Sequence, residues 1–435
     1  MSFEINEQFA RAIEILENTN KHTFITGKAG TGKSTLLTYF RGITKKHHIV
    51  LASTGAAAVN INGQTVHSFF HFTPQITLDE AAKLGKSNKN TKLYQKLQLI
   101  IIDEVSMIRS DLFDCVDLFL KSARLSNEPF GGVQMALFGD LYQLPPVINK
   151  DEIDIFSQLY ESPFFFDSNA FVRISQFEDF YELIELKKMY RQSDEDFIDL
   201  LNNVRNKQTN HSNLEMLNKQ LSKMVEDTSE YIYLVSTNKQ AEEINKISLN
   251  KLTTKLESYT GVMYGDFENR NVPTEIELSL RIGARVMFLN NDADNRWING
   301  TLGEVVGLYH DESNSNLPVI EVKKDDNETV EVYPYTWTNY KSSLNDKTGK
   351  IEKDAVGTYT QIPLKLAWAI TIHKSQGKTF DKVIIDIGWG TFASGQLYVA
   401  LSRCKTLDGI ILKKPIQHKH ILLDPRVVSF FNPNI

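Results

Sequence analysis

Three features of this sequence predict an α/β fold made of two parallel-sheet units in series. The first is a complete phosphate loop, Gly27-Lys28-Ala29-Gly30-Thr31-Gly32-Lys33-Ser34-Thr35, set between an apolar strand-like run and a helix-like one. The second is a set of β-branched and aliphatic runs, Ile49 to Ser53, Leu99 to Ile102 and Val133 to Phe138, of the kind found in sheets covered on both faces. The third is a strand–loop–helix rhythm that restarts at Tyr231 without a second phosphate loop and, after a turn-rich interruption, resumes at Pro363.

Taken in order, residues 6 to 18 space Phe9, Ile13 and Leu16 as one buried helical stripe, with Asn6 as N-cap. Gln8 lies off that stripe, either solvated or turning its amide toward an adenine edge. His22 to Ile25 read as a strand and Ser34 to Phe40 as a helix. Between them Gly27, Ala29, Gly30, Thr31 and Gly32 let backbone N–H groups wrap a polyphosphate at the helix N-terminus. Lys33 then neutralises the terminal phosphates, and Ser34, followed by Thr35, offers its hydroxyl to Mg²⁺. The strand Ile49 to Ser53 ends in Thr54-Gly55-Ala56-Ala57-Ala58, small residues that permit close backbone approach.

Residues 59 to 79 break the rhythm with Gly63, Pro74 and the cluster His67, Phe69, Phe70, His71 and Phe72, read as a short insertion. Its aromatics either pack a core or stack on bases. Ala81 to Lys96 is polar and Lys-rich, a solvated helix and loop. Leu99 to Ile102 runs as a buried strand into Asp103 and Glu104, placing one carboxylate to hold Mg²⁺ through water and the next to accept the proton of an attacking water. A helix follows at Asp111 to Leu125, then the strand Val133 to Phe138. Gly139-Asp140-Leu141-Tyr142-Gln143-Leu144-Pro145-Pro146 can hold the Gln143 amide at a γ-phosphate. A first domain border is expected near residue 180.

Tyr190-Arg191-Gln192 precedes a helix starting near Ser193, with Asp194 and Glu195 in its first turn as the helix dipole favours. Tyr231 to Val235 begins the second α/β unit. From 253 to 362 the sequence alternates and turns, as at Gly283 to Phe288 and Trp297 to Val306, which indicates a small β-barrel inserted into that unit. Ala369 to Gly377 reads as a helix whose end puts Lys374, Ser375, Gln376 and Gly377 where a phosphate backbone or nucleotide could meet them. Val383 to Ile387 is a strand. Arg403 follows Tyr398-Val399-Ala400-Leu401-Ser402, and a lone arginine there is ordinarily a surface salt bridge.

Composition bounds the rest. The chain has 435 residues, room for about three domains at roughly 100–200 residues each. A net charge of −6 argues against coating nucleic acid by bulk attraction and leaves room for a local basic channel. Cys115 and Cys404 lie far apart with no metal-ligand spacing, which points to a reducing compartment. The start of the chain carries no signal-peptide pattern and no apolar run approaches the ~20 residues of a membrane span, so a cytoplasmic protein without membrane contact is expected.

Together these stretches resemble the ordered motifs of superfamily-one helicases, and specifically the petite integration frequency (PIF) family of DNA helicases. The resemblance rests on Gly27 to Thr35, Thr54 to Ala58, Asp103-Glu104-Val105-Ser106-Met107, Gly139 to Pro146, Tyr190-Arg191-Gln192, His373 to Gly377 and Tyr398 to Arg403, with the family's signature segment at Leu112 to Gln134. It implies two RecA-like motor domains, 1–180 and 181–252 joined with 363–435, a DNA-wedge insertion at 59–79, and an SH3-like barrel at 253–362. It also implies ATP hydrolysis with Mg²⁺ and 5′-to-3′ movement on single-stranded and forked DNA by a monomer, with RNA–DNA hybrids and four-stranded guanine folds as further substrates. Roles in replication, repair, recombination or telomere maintenance belong to the same implication.

Residue by residue, the resemblance gives Gln8 to adenine, Lys33 and Ser34 to phosphates and Mg²⁺, and Asp103 and Glu104 to metal and water. Gln143, Arg191 and Arg403 meet the γ-phosphate, Gly377 lies at the nucleotide, and Thr54, His67, Phe69, His373 and Lys374 contact DNA. Three alternatives stay open: a RecD-like subunit, a P-loop kinase, and a DNA clamp in which nucleotide is only structural.

Overall fold

The computed structural model describes residues 5–54, 57–58, 61, 63–73, 75–87, 91–148, 152–177, 179–192, 194–222, 231–267, 272–294, 296–313, 316–344 and 351–432. Gly55, Ala56, Pro74 and Ser193 of the sequence reading lie outside them. The first sheet has six parallel strands in the order Gln64–Thr65, His48–Ala52, Leu99–Asp103, Gln134–Phe138, His22–Gly27 and Tyr181–Leu186. Its central strands are buried along their whole length, as expected of aliphatic runs covered on both faces. The helix Glu7–Asn18 is capped by Asn6, whose side chain accepts from the Phe9 N–H. The helices Lys33–Ile43 and Ser110–Arg124 also pack against this sheet, Ser110–Arg124 burying Phe113, Val116 and Phe119.

The second sheet is smaller, with parallel strands in the order Ala369–Thr371, Ile232–Val235, Val383–Asp386 and Ile410–Leu412. Between its first two strands in sequence lies an antiparallel region. Five strands pair in the order Thr329–Val332, Leu317–Lys324, Leu302–Asp311, Arg285–Phe288 and Leu364–Leu366, beside a three-stranded sheet of Tyr335–Leu344, Ile351–Gln361 and Val262–Gly265. The five-stranded sheet has a core of its own around Val286, Phe288, Trp297, Val305, Ile320 and Val322. The final helix, Pro425–Phe431, returns to the first unit, where Phe430 meets Phe24, Phe166 and Phe171, and Phe431 stacks on Tyr142.

Several expectations are corrected. Tyr181–Leu186 pairs with His22–Gly27, so the first unit extends past residue 180. Leu364–Leu366 pairs with Arg285–Phe288, so the antiparallel region extends past residue 362. Ala369–Thr371 is a strand and His373–Ser375 one 3₁₀ turn, where a helix was expected; a short apolar run carries no period that separates the two. The segment from Ala81 to Lys96 is less solvated than its lysines suggest, because Ala81, Leu93 and Tyr94 are buried. Phe69 is only 3 % exposed and sits edge-on to Phe70 and Tyr94, with Phe72 and Phe119 completing the cluster. These rings are core, and Phe69 is corrected from a DNA contact to a packing residue.

Candidate nucleotide-binding cleft

The phosphate loop leaves the carboxyl end of His22–Gly27, the edge where ligands of parallel α/β sheets collect. Gly30 and Gly32 take φ of 90° and 86°, which a side chain would strain. A Cβ on Gly30 would also lie 2.7 Å from the Cβ of Arg191, so this glycine admits the incoming Arg191 segment. Lys33 Nζ donates to the carbonyls of Gly27 (2.6 Å) and Lys28 (3.1 Å). Burial pushes its pKa down while Asp140 and Glu104 pull it up. Thr31 is buried and its hydroxyl donates to Lys28 O, whereas Ser34 and Thr35 are exposed at the start of the helix.

Asp103 ends the strand Leu99–Asp103, which Gln134–Phe138 separates from the phosphate-loop strand, and Glu104 follows it. Burial, and then the Glu104 charge, push the Asp103 carboxyl up to about 7, and its Oδ1 accepts the Glu104 N–H at 2.9 Å. Glu104 itself sits at φ 50°, a left-handed conformation uncommon for this residue and of the kind that clusters at functional sites. Its Oε2 accepts from Gln376 Nε2 at 3.0 Å, and Gln376 Oε1 is buried with no hydrogen-bond partner among the described residues. This pair of carboxylates, with an exposed Ser34 hydroxyl on the same edge, fits a hard divalent cation, which takes one or two protein oxygens and completes its shell with water and phosphate. Among the described residues no group of three or more His, Cys, Asp or Glu side chains converges on a metal-ligand geometry.

Opposite the loop stand side chains of the second unit. Arg403 follows the helix Gln396–Ser402 and is 1 % exposed. It donates to Val399 O, Lys378 O and Ser402 Oγ. Burial, then the Arg191 guanidinium, pull it down to about 9. Arg191 donates to Ser402 O at 3.1 Å. A buried and a half-buried guanidinium, each donating to carbonyls and set close to Lys33, concentrate positive charge that suits an anion. The surface salt-bridge reading of Arg403 is thereby overturned.

Asp140 ties the two sides together. It is fully buried (0 % exposed), forms an ion pair with Arg205 at 3.1 Å, and accepts from the Tyr142 N–H and, at 3.4 Å each, from Gln143 Nε2 and the Tyr398 hydroxyl. The Arg205 guanidinium also lies 3.7 Å above the Tyr142 ring. Tyr398 OH accepts the N–H of Ala29 in the phosphate loop at 2.9 Å. A continuous path therefore runs from the loop through Tyr398 to Asp140, Gln143 and Arg205. Sequence reading gave Tyr398, Asp140 and Arg205 no role of their own and placed Gln376 only where a phosphate backbone or nucleotide could meet it. Asp140 had a local signal, the Gly-Asp at a strand end, while Arg205 closes an ordinary amphipathic helix, Glu195–Arg205.

The remaining candidates spread along the cleft. Gln8 Oε1 accepts the Lys187 N–H at 2.9 Å, fastening the first helix to the chain after Tyr181–Leu186, and neighbouring Phe9 faces Gly32 and Tyr190. Gly377 has φ 78° in open surroundings, with nothing within 4 Å of where a Cβ would stand. Thr54 caps the turn at Ala57 and Ala58. His67 is half-buried in the short helix Val66–Phe70, and burial lowers its pKa. His373 stacks on Phe392 (6.0 Å between centroids, 13° between planes), and Lys374 is exposed beside it.

A glycine-wrapped loop at a parallel-sheet edge, faced by Arg191 and Arg403 from the chain of the second unit, defines a two-domain P-loop nucleotide cleft. A sequence profile of the PIF1-like helicase family matches residues 3–215, and one of the UvrD-like helicase C-terminal domain matches 366–409. The chain is 32% identical to the ATP-dependent DNA helicase Pif1 of Bdellovibrio bacteriovorus, over 98% of this chain and 92% of that protein. It spans about three fifths of the length of vertebrate relatives. The crystal structure of Bacteroides sp Pif1 in complex with ADP-AlF4 superposes with a TM-score of 0.87 at 38% identity, covering 99% of this chain and 97% of that one. Bacteroides Pif1 bound to ssDNA superposes with a TM-score of 0.72 at 39% identity, with the same coverage. The chain belongs to the PIF1-like helicase family.

Proposed function

We propose that this chain is an ATP-hydrolysing DNA helicase that moves 5′ to 3′ on single-stranded DNA and opens forked duplexes. The observation that carries the reading is the bond from the Ala29 N–H to Tyr398 OH, which makes the phosphate loop and the second unit parts of one cleft. Terminal phosphates entering the loop take Lys33 from the carbonyls of Gly27 and Lys28, and backbone N–H groups of Ala29 to Gly32 complete the cradle. Ser34 and Asp103 would hold Mg²⁺, which when bound neutralises phosphate charge. Glu104, aimed by Gln376, accepts the proton of the attacking water. Gln143 reads the γ-phosphate, and Arg191 and Arg403 stabilise the charge that develops on it. Gln8 and Phe9 border the adenine side, and Gly377 lies on the nucleotide path.

The two parallel units are read as RecA-like motors, the first running through Leu186 with its insertion at 59–79. The second takes up 187–252 and the chain from Ala367 to 435. The antiparallel region between them is read as an SH3-like barrel, supported by its five-stranded sheet and separate core. Thr54, His67, His373 and Lys374 contact the DNA backbone or bases, so binding is largely sequence-independent and salt-sensitive. RNA–DNA hybrids and four-stranded guanine folds are secondary substrates. We read the enzyme as a cytoplasmic monomer; its two free, buried thiols suit a reducing compartment.

The test is ATP hydrolysis with and without single-stranded DNA, together with unwinding of duplexes carrying only a 5′ or only a 3′ tail. Stimulation by DNA and activity on the 5′-tailed duplex are expected, with Lys33→Ala reduced to background. Hydrolysis retained by Lys33→Ala overturns the reading, and activity on the 3′ tail alone overturns its direction.

A further inference from the structure

The carboxyl ends of the adjacent strands Ile232–Val235 and Val383–Asp386 open into a groove of about 470 Å³, lined among others by Ser236, Thr237, Lys239, Trp389, Thr391 and Phe392. Two of its aromatics face outward at a cost in exposed apolar surface. Trp389 is 103 % exposed and Phe392 62 %. The tryptophan is not a frayed side chain on a loose loop. Gly388 and Gly390 on either side take φ of 59° and 141°, conformations that favour glycine, and their N–H groups bond Asp386 Oδ1 and Ile387 O. Lys414 donates to Gly388 O at 2.5 Å with its ammonium 5.2 Å from the centre of the indole. Phe392, at the other end of the same turn, carries His373 stacked on its ring.

A large aromatic held clear of the fold by a braced turn, with Lys414 against it and Lys239 along the groove, is the arrangement that receives a base on a flat face and its phosphate on a cation. The carboxylates of Glu243 on the groove and of Asp386 under the turn match these two cations in charge, so the flat aromatic face, and not net charge, is what distinguishes the place. Core packing does not account for the indole, which among the described residues stays fully exposed with only Lys414 near its ring.

We infer that Trp389 is a base-stacking platform on the second unit, which with Phe392 and His373 makes one aromatic face that a single strand of DNA crosses. The inference rests on the DNA-translocating reading above. It makes stacking, with no hydrogen-bond readout, the source of affinity at this point, and so predicts tolerance of every base and intolerance of a missing one.

The chain has four tryptophans. Trp297 and Trp337 are buried and Trp368 half-buried, so Trp389 dominates any quenching by a ligand from solvent. Titrating the full chain with an oligothymidine should quench tryptophan emission, and Trp389→Phe should lose most of that quench. Binding of the oligothymidine is then compared with that of an abasic strand of equal length for wild type, Trp389→Phe and Trp389→Ala. Wild type should prefer the base-bearing strand, and Trp389→Ala should lose about 5- to 20-fold of that preference, with Trp389→Phe retaining much of it, as one lost stacking contact implies. An unchanged preference in Trp389→Ala, with DNA binding intact, overturns the platform and leaves the helicase reading standing. Failure of the wild-type chain to bind either strand overturns both.

Discussion

The two parallel sheets share strand direction, burial and a ligand-bearing carboxyl edge, yet they bring opposite chemistry to the cleft. The first contributes backbone N–H groups, one lysine and two carboxylates, all within a few residues of a strand end. The second contributes long side chains, Arg403 and Tyr398 from one helix and Gln376 from a 3₁₀ turn, that reach across to touch what the first sheet presents. A phosphate cradle needs glycines at positive φ directly after a strand, which His22–Gly27 has. A sheet edge without them can act on a phosphate only through side chains. A site divided in this way is complete only when the two units approach, which lets nucleotide state and domain closure drive each other.

The sharpest way to break the division is to remove the second unit's charge. Arg403→Ala should lower kcat for DNA-stimulated ATP hydrolysis by about 10³-fold while nucleotide binding changes far less, and Arg403→Lys should restore little of it, since the guanidinium makes contacts in several directions at once. Steady-state kinetics paired with nucleotide-binding titration decides this. A loss confined to affinity would make Arg403 a packing residue.

A smaller effect is expected at the joint itself. Asp140→Asn or Arg205→Met each leaves a buried partner uncompensated, and such single changes typically cost about 3–5 kcal/mol. The double variant should lose clearly less than the two singles added together. Urea midpoints across the four proteins of this cycle measure the coupling, and strict additivity would show that the pair does not hold the units together.

The smallest effect concerns the edge of the first sheet away from the cleft. His22 is buried against Phe130, its Nδ1 accepts the Met135 N–H, and burial lowers its pKa to about 4. The unfolded chain binds that proton near pH 6.5, so stability from the neutral ring is complete above about 6.5 and falls as pH drops toward 4, by up to about 3 kcal/mol. Thermal unfolding between pH 7.5 and 4.5 should show this slope in wild type and a flatter one in His22→Asn. Equal slopes would assign the acid sensitivity elsewhere. ATP hydrolysis at neutral pH should barely differ between the two.

Legibility followed contiguity. The phosphate loop and Asp103-Glu104 could be read because their chemistry lies within a single strand-to-loop step. The helix Glu7–Asn18 and its Asn6 cap could be read because period and cap are local. Ala369–Thr371 is not legible as a strand because three buried residues have no period, and the place of Tyr181–Leu186 in the first sheet is not legible because pairing with His22–Gly27 is a long-range fact. The aromatics from Phe69 to Phe72 suit bases and a core equally well in sequence, and only the contacts with Tyr94 and Phe119 make them core.

The sequence by itself determined that a nucleoside triphosphate meets a glycine loop, a lysine and two carboxylates, since each of these depends on neighbours along the chain. Only the tertiary structure decided that Tyr398 bonds the Ala29 N–H, that Arg205 neutralises Asp140 and that Gln376 aims Glu104. Those partners stand tens to hundreds of positions apart, and no local propensity encodes a hydrogen bond that exists only once the loops and helices of the two units have come together.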